Sequence, residues 1–432
     1  MKMKSTFKIM LVGRNPHPGP LPSVGRGGNA PSVMANLRRV ARCNPRVFLA
    51  GIFLLLLAFR SFGAPAEIGI TNEAPFFGQK PVPVSLQGFS GEAEQVLKFD
   101  LYVQGFSFVT PDAAQYLING SSAENVTGTL TDKFAHKMLL SRSYNGASVR
   151  RQAHAFADEI VGAIRESKPI GQSKIAFKTQ PGGYGPGEIY VSDFDGYGAQ
   201  PVTSDGAIVT RPAWVPGRMA LYYTSYARDN PDIFYHSLSS GQRRVIAGYS
   251  GLNTGAAVSP DGSKVAMILS KSGSPNVWVC SANGSDLKRL TTGIEDSSPC
   301  WSPDGEWICF ATKFRERRRL AKIPAGGGAV QYLTTTGAAN PTEPDWSPDG
   351  KWIAFTSQMG DFNICVMAAD GSVPPVILVS GQNPSWSANS RSLVFNHGPA
   401  GRQSLAVLDA FTKQYKDCHH MGGSSSQPAW AR

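Results

Sequence analysis

The first 66 residues contain no aspartate or glutamate, although they carry ten of the 42 lysines and arginines of the chain. The other 32 basic residues are nearly balanced by 31 acidic ones, so the formal charge of +11 belongs to the N-terminal segment. The rest of the chain is therefore close to neutral and has no general attraction for polyanions. The charge distribution therefore argues against nucleic acid as a partner.

The chain also lacks an apolar run long enough to cross a bilayer. Its longest run, at 47–59, has 13 residues, whereas a spanning helix needs about 20. Arginines precede this run and small residues follow it, which is the order of an export signal. We predict a signal peptide over 34–66, cleaved after Ala66 or, as second choice, after Gly63. Because Met34 stands just before the basic cluster, 1–33 is interpreted as a non-native upstream extension.

Cysteine is scarce, with six in 432 residues. One of them, Cys43, lies in the predicted signal, and the remaining five cannot all pair with each other. We expect most of these to be buried as small apolar residues. One disulfide is possible in an exported protein, but the sequence does not assign it.

Signatures of catalysis and of bound ions are missing as well. The sequence has no G-x-S-x-G nucleophile motif. The run from Asp193 to Gly196 begins like a calcium loop but lacks the later acidic ligands. No catalytic residue, metal or cofactor is therefore predicted.

What the chain does contain is a repeat of 40 to 45 residues, a period typical of propeller blades. Each copy has an apolar residue, usually tryptophan, and the three clearest copies continue with Ser-Pro-Asp-Gly and an alternating strand pattern. The apolar positions of the six copies are Trp214, Val258, Trp301, Trp346, Trp386 and Trp430. Successive positions are 44, 43, 45, 40 and 44 residues apart.

Each repeat predicts four antiparallel strands, because proline fixes φ and Asp-Gly supplies the turn of a hairpin. The first unit, 173–206, has no Trp-Ser-Pro beginning, and the last, 427–432, has only that beginning. Together they would make one blade from both ends of the chain. The predicted fold class is thus mainly β, a six-bladed β-propeller over 171–432 whose last strand closes the first blade.

Residues 67–168 lack the repeat and are predicted to form a separate small α/β domain. Its final helix has Phe156, Ile160 and Ile164 on one face, the pattern of a helix packed on a core. The predicted elements are strands at 81–84 and 106–109 and helices at 91–103 and 148–166.

This domain order resembles the TolB family of the Tol–Pal envelope system, and the resemblance covers nearly all of 67–432. Its most specific stretch runs from Ser173-Lys-Ile-Ala-Phe through Tyr190-Val-Ser-Asp-Phe-Asp-Gly-Tyr-Gly198 to Arg211-Pro-Ala-Trp214. The resemblance implies a non-catalytic periplasmic scaffold, peripheral to membranes, that supports outer-membrane integrity and constriction during cell division. The implied partners are peptidoglycan-associated lipoprotein (Pal) at the propeller and inner-membrane Tol proteins at the N-terminal domain.

The resemblance also implies a partner site on the loops that enter the first strand of each blade, around one mouth of the channel. The same residue types form ordinary turns, so a purely structural role is the alternative. The middle of the N-terminal domain, 119–131, is short and polar and departs from the family pattern. The candidates at the mouth are Asn253, Gly255, Ser297, Ser298, Thr342 and Glu343.

Two other functions use the same fold. A propeller lectin or peptide-binding module would take its ligand at the same mouth. A degenerate propeller of a serine peptidase would need a hydrolase domain, and the absence of the nucleophile motif disfavours it.

Overall fold

Short strands joined by turns make up most of the described residues, and two helices lie near the beginning of this part of the chain. The computed structural model describes residues 76–419 and 422–432. The predicted signal peptide, the start at Met34 and the cleavage site after Ala66 lie outside the described residues. Among the helices that are described, none has the length and apolar character needed to span a bilayer.

The N-terminal domain is a five-stranded sheet covered by the two helices. Ser148 caps the second helix, since its Oγ accepts a hydrogen bond from the N–H of Arg151 at 3.3 Å. The elements are β1 (Val82–Gln87), α1 (Gly91–Tyr102), β2 (Phe106–Phe108), β3 (Tyr116–Ser121), β4 (Thr127–Asp132), β5 (Lys137–Ser143) and α2 (Val149–Arg165).

The sheet has the order β2-β1-β3-β4-β5, with β1 parallel to both neighbours and β3, β4 and β5 antiparallel. The helices bury Leu97, Phe156 and Ile160 against it. The sequence did not indicate β3 to β5, because their apolar residues are few and stand in short runs, as at 116–118 and 138–140, instead of alternating with polar ones. These strands form because pairing with their neighbours provides hydrogen-bond partners for their backbone N–H and C=O groups, and the hydrophobicity of their side chains contributes less.

Six four-stranded antiparallel sheets follow, as the repeat predicts. Blade 1 combines β29 (Ser424–Trp430) with β6 (Lys174–Gln180), β7 (Glu188–Asp193) and β8 (Gln200–Pro201). Blade 2 has β9 (Val209–Trp214), β10 (Ala220–Ser225), β11 (Asp232–Ser237) and β12 (Arg243–Ala247), and blade 3 has β13 (Asn253–Val258), β14 (Lys264–Leu269), β15 (Asn276–Ser281) and β16 (Lys288–Arg289).

The other three blades have the same plan. Blade 4 has β17 (Asp296–Trp301), β18 (Trp307–Phe314), β19 (Arg317–Pro324) and β20 (Gln331–Tyr332), and blade 5 has β21 (Thr342–Trp346), β22 (Trp352–Met359), β23 (Asp361–Ala368) and β24 (Val376–Ser380). Blade 6 has β25 (Gln382–Trp386), β26 (Ser392–His397), β27 (Ser404–Asp409) and β28 (Tyr415–Asp417).

The Ser-Pro-Asp-Gly sequence builds the turn after the first strand of a blade. In blade 3 the Ser259 hydroxyl donates to the Asp261 carboxylate at 2.5 Å and accepts from the Lys264 N–H at 2.9 Å. Gly262 closes the turn at φ 71°, a conformation that favours glycine. The same bonds recur in blades 4 and 5, so each turn is fixed by its own side chains.

The ring closes through the C-terminal strand. In register, β29 pairs with β6 from Ser424 opposite Gln180 to Trp430 opposite Ile175. The first strands of the six blades contact one another in sequence, and β29 contacts both β25 and β9. This confirms the predicted six-bladed propeller, closed by strands from both ends of the repeat region.

The N-terminal domain packs on the face of the propeller that carries the Ser-Pro-Asp-Gly turns. Phe77 packs on Trp352, the Gln414 amide donates to the Phe106 carbonyl at 3.2 Å, and Arg150 pairs with Asp195. These propeller residues lie at the turn ends of blades 5, 6 and 1. The opposite face, where the first strands begin, is left uncovered by this domain.

Candidate partner-binding site at the channel mouth

The first strands of the blades surround a central channel with a cavity of about 440 Å³. Its wall alternates tryptophan, proline and small residues, and it includes Trp214, Trp301, Trp346 and Trp430. Prolines are tolerated because these strands are the inner edges of their sheets, where one side of the backbone needs no ladder partner. An apolar wall with few polar groups suits a bound ligand or inserted peptide.

Every first strand carries a β-bulge at its mouth end. The register with the second strand shifts there in all six blades. One residue of each bulge adopts a left-handed conformation, with φ between 51° and 65°. These residues, called the bulge ring below, are Arg211, Gly255, Ser298, Glu343, Asn383 and Gln427.

Five members of the bulge ring are not glycine, although left-handed backbone is costly for such residues. Strain of this kind persists only where surrounding structure enforces it, and it is concentrated at functional sites. The bulge turns each side chain out of the pleat, and all six residues line the cavity. The ring thus presents arginine, serine, glutamate, asparagine and glutamine around one opening.

Side chains of the ring accept hydrogen bonds from the backbone N–H groups of neighbouring ring members. The Gln427 amide oxygen accepts from the Arg211 N–H at 3.0 Å, and the Glu343 carboxylate accepts from the Asn383 N–H at 3.2 Å. The Gln427 N–H in turn donates to the Asn396 amide oxygen at 3.1 Å. These bonds supply partners for N–H groups that the bulges remove from the strand ladder.

Arg211 crosses the mouth above blade 3. Its guanidinium donates to the Ser298 hydroxyl at 2.9 Å, so it joins blade 2 to blade 4. Gly255, the ring member of blade 3, lies between them in the order of the blades. Within the bulge ring the charged members are the cation Arg211 and the anion Glu343, both half-buried and both already hydrogen-bonded.

The far end of the channel holds a second ion pair, between Arg432 and Asp345. Arg432 also donates to the carbonyl oxygens of Trp386 at 2.9 Å and Trp346 at 3.1 Å. Burial by the channel wall raises the pKa of Asp345, although Arg432 opposes that effect. The C-terminal residue thereby ties blades 5 and 6 together at the end opposite the ring.

A basic hairpin stands beside the mouth. Strands β18 and β19 continue past the beginning of β17, and their tip carries Arg315, Arg317 and Arg319, all exposed. Two acidic residues balance part of this charge, since Glu295 pairs with Arg318 and Glu316 pairs with Lys313 at 3.1 Å. The rim of the mouth is therefore more basic than the ring inside it.

The structure separates the six residues predicted from the sequence into two groups. Gly255, Ser298 and Glu343 belong to the bulge ring and line the cavity. Ser297 and Thr342 are half-buried in their strands, outside the lining.

The sixth candidate, Asn253, is fully buried. Its amide donates to the Tyr249 carbonyl at 2.7 Å and to the Pro231 carbonyl at 3.0 Å, which fixes a loop. As placed, it has no surface to offer a partner, so its position supports the structural alternative.

Sequence reasoning missed Arg211, Asn383 and Gln427. A signal was available, because five of the six bulge residues immediately precede the proline of an x-Pro-x-Trp sequence, as in Asn383-Pro-Ser-Trp386. In a residue before proline the right-handed helical region is disfavoured. That restriction does not by itself predict a left-handed bulge, which depends on the pairing with the second strand.

No cluster of three or more His, Cys, Asp or Glu within 76–419 and 422–432 could hold a metal ion. The run that begins like a calcium loop is a turn, in which the Gly196 N–H donates to the Asp193 carbonyl at 2.9 Å. Asp195 is committed to the ion pair with Arg150 of the N-terminal domain.

Fold and site define a class: six-bladed β-propellers with an N-terminal α/β domain on one face and a polar ring at the opposite mouth. The TolB beta propeller domain matches residues 163–432, and the chain belongs to that family. The structure of TolB from Acinetobacter baumannii is similar in fold, with a TM-score of 0.74 at 21% identity over 83% of this chain and 98% of that one.

Curated relatives named Tol-Pal system protein TolB are similar in sequence. The protein of Anaeromyxobacter dehalogenans strain 2CP-C is 28% identical over 294 residues, which are 59% of this chain and 67% of the relative. The protein of Desulfosudis oleivorans is 31% identical over 164 residues, or 38% of this chain and 37% of the relative. The chain thus spans about two thirds of the first relative and little more than a third of the second.

Proposed function

We propose that this protein is a periplasmic, non-catalytic scaffold of a Tol–Pal system that binds peptidoglycan-associated lipoprotein at the bulge ring. The observation that carries the proposal is the repeated left-handed bulge, which directs polar side chains into one mouth at a cost in backbone energy. A polar, hydrogen-bonded ring on rigid strands suits recognition of a protein segment. The assignment to a Tol–Pal system is based on the name of the curated relatives, Tol-Pal system protein TolB.

The geometry also separates two binding faces. The N-terminal domain occupies the turn face of blades 5, 6 and 1, whereas the ring opens on the other face. Pal could therefore bind while the N-terminal domain contacts inner-membrane Tol proteins. A scaffold with two faces would couple the envelope layers in outer-membrane maintenance and cell division.

The test is the affinity of the purified chain for the soluble domain of Pal from the same organism. A double charge reversal at the ring, Arg211→Glu with Glu343→Lys, keeps the net charge and should weaken binding at least about tenfold, or 1.4 kcal/mol. The matched control reverses Lys264→Glu and Glu306→Lys, which are exposed on the turn face, and should leave the affinity within about twofold.

A thermal unfolding midpoint for each variant separates lost binding from lost folding. If the ring variant, the control and the parent bind Pal with equal affinity, the Pal-binding site does not include the bulge ring. The cavity lined by tryptophan and proline would also suit a glycan or short peptide. Ring-dependent binding of such a ligand, with none of Pal, would select the lectin-like alternative.

A further inference from the structure

Five cysteines lie in the described part of the chain, and the structure contains each of them as a buried free thiol. Two of them, Cys300 and Cys309, are direct partners across β17 and β18. By contrast, Cys280 lies opposite Val265 and Cys365 lies opposite Phe355.

The type of strand pairing sets the distance between Cys300 and Cys309. The Ser302 N–H donates to the Trp307 carbonyl at 2.9 Å, so those two residues form a hydrogen-bonded pair. Pair types alternate along an antiparallel ladder, which makes Cys300 and Cys309 a hydrogen-bonded pair as well, with Cα atoms about 5.5 Å apart. Disulfides bridge Cα separations of about 4.4–6.8 Å.

The side chains also share one face and one environment. Directly opposed residues point to the same side of a sheet, and both cysteines belong to a single apolar cluster with Ala311, Leu320 and Trp346. Burial and contact with Cys309 raise the pKa of the Cys300 thiol. Since the thiolate is the reactive form, oxidation is expected while the chain folds, before the cluster closes.

We propose that Cys300 and Cys309 are a redox modification site that closes to a cross-strand disulfide by exchange with a disulfide donor. One thiolate attacks the donor disulfide, giving a mixed disulfide and releasing one donor thiol. The second thiolate then attacks the protein sulfur of the mixed disulfide and releases the other donor thiol. Two protons leave the cysteines, and the donor disulfide is reduced to two thiols.

The bond would lie in the wall of the channel, which Cys300 lines. It would fix β17 to β18 two residues beyond Ser298, the ring member that receives the hydrogen bond from Arg211. Oxidation would therefore stiffen one sixth of the mouth. The Cβ atoms of opposed residues are about 4.5–5.5 Å apart, somewhat more than a disulfide prefers, so the bond should be more easily reduced than an unstrained one.

The test refolds the full chain in a buffer of oxidised and reduced glutathione, alkylates the remaining thiols under denaturing conditions and digests with trypsin. Cleavage after Arg289 and Lys313 releases both cysteines in one peptide. The expected peptide carries no alkyl group and is lighter than the reduced peptide by two hydrogens. Dithiothreitol should restore two alkylation sites.

Matched variants make the assignment specific. The double variant Cys280→Ser with Cys365→Ser retains the other cysteine pair and should give the same lighter peptide. Cys309→Ala should leave Cys300 alkylated or bound to glutathione, and this readout of the peptide does not require a folded variant. Two alkylated cysteines in the refolded parent, or a bond from Cys300 to Cys365, would overturn the proposal.

The location of the protein in an oxidising compartment rests on the proposed function, whereas this experiment does not. It needs no partner and no export. A disulfide without Pal binding would refute only the partner. Pal binding by a chain whose Cys300 and Cys309 stay reduced after refolding in the glutathione buffer would refute only the disulfide.

Discussion

Single residues decide the chemistry of the channel mouth through their backbone conformation. Arg211 and Glu343 point into the channel because a bulge gives them a positive φ. Each left-handed residue other than glycine costs about 1–2 kcal/mol, and hydrogen bonds between adjacent ring members offset part of this cost. Replacing a ring residue should therefore affect binding and local order together, which is why the proposed binding test includes an unfolding midpoint.

One buried ion pair gives a prediction at the scale of the residue. Asp409 is completely buried and accepts from the Arg391 guanidinium and from the Thr412 N–H at 2.7 Å. Arg391→Leu would remove the cation that pairs directly with this carboxylate, whereas Arg165 interacts with it only at longer range. We expect a loss of about 3–5 kcal/mol in the free energy of unfolding, measured with urea.

The matched control for that experiment is Lys98→Leu. Lys98 pairs with Glu94 at 2.6 Å on an exposed helix surface, with the two side chains 47% and 37% exposed. Its loss should cost no more than about 0.5 kcal/mol. Equal losses for the two variants would show that burial does not distinguish these ion pairs.

At the scale of the element, one strand determines whether the propeller is a closed ring. β29 supplies the inner strand of blade 1 and contacts the first strands of blades 6 and 2. The Trp214 indole donates to the Ala429 carbonyl at 3.0 Å, and the Trp430 indole donates to the Ser173 hydroxyl at 2.7 Å. Without β29 two blades would expose apolar faces that a ring normally covers.

Ending the chain after Gly423 should therefore abolish cooperative unfolding, because β6 loses its inner partner and the ring stays open. Near-ultraviolet circular dichroism of the tryptophans against urea would detect this. A chain that ends after Trp430 is the control. It lacks Arg432 and its bonds across the channel but keeps β29, so it should unfold cooperatively at a lower midpoint; a gradual transition in this control would assign closure to Arg432 instead.

At the scale of the whole molecule, a buried polar cluster joins the N-terminal domain to the propeller. Asp100 of α1 contacts His154 of α2 at 2.7 Å, and His154 faces Asp195 of the propeller at 3.9 Å, next to Arg150. Asp158 binds the linker through the N–H groups of Ile170 and Gly171, both at 3.0 Å. Carboxylates thus outnumber cations where the two parts of the molecule meet.

The protonation of this cluster should make stability depend on pH. Burial raises the pKa of Asp100 from 3.8 to about 6, although His154 opposes that rise. Burial opposes protonation of His154, but Asp100 and Asp195 outweigh it and raise the histidine pKa. Both groups bind protons more tightly in the folded state, so the free energy of unfolding should fall as pH increases from 3.8 through 6 and beyond 6.5.

Asp100→Asn tests this directly. It removes the titration of Asp100 and also the interaction that raises the pKa of His154, so it should flatten the decline, of which Asp100 accounts for at most about 3 kcal/mol. Asp158, whose pKa burial also raises, keeps its part of the decline. Urea unfolding at a series of pH values would measure the slope. The control is Asp286→Asn, an exposed carboxylate whose pKa is lowered by hydrogen bonds from Ser285 and Ser281. Its contribution is lost only as pH falls below 3.8, so the slope above that value should match the parent.

Much of the fold follows from local signals in the sequence. Ser-Pro-Asp-Gly sets each hairpin through bonds within a few residues, and the spacing of the tryptophans gives the number of blades. The closure by β29 was predictable because the first and last repeats are complementary fragments. The strands β3 to β5 were not, since their residues carry no apolar alternation.

The sequence by itself determined the blade count and the closure, because these depend on short-range turns, a regular period and complementary fragments at the two ends of the repeat region. The family followed from the resemblance carried by 173–214, and the match of the TolB beta propeller domain to 163–432 shows it. Only the tertiary structure decided which residues face the channel. Arg211, Asn383 and Gln427 enter it, and Asn253 does not, because a one-residue bulge in the pairing between two strands rotates a side chain from one direction to another. That rotation depends on a partner strand, and the sequence around a single residue does not specify it.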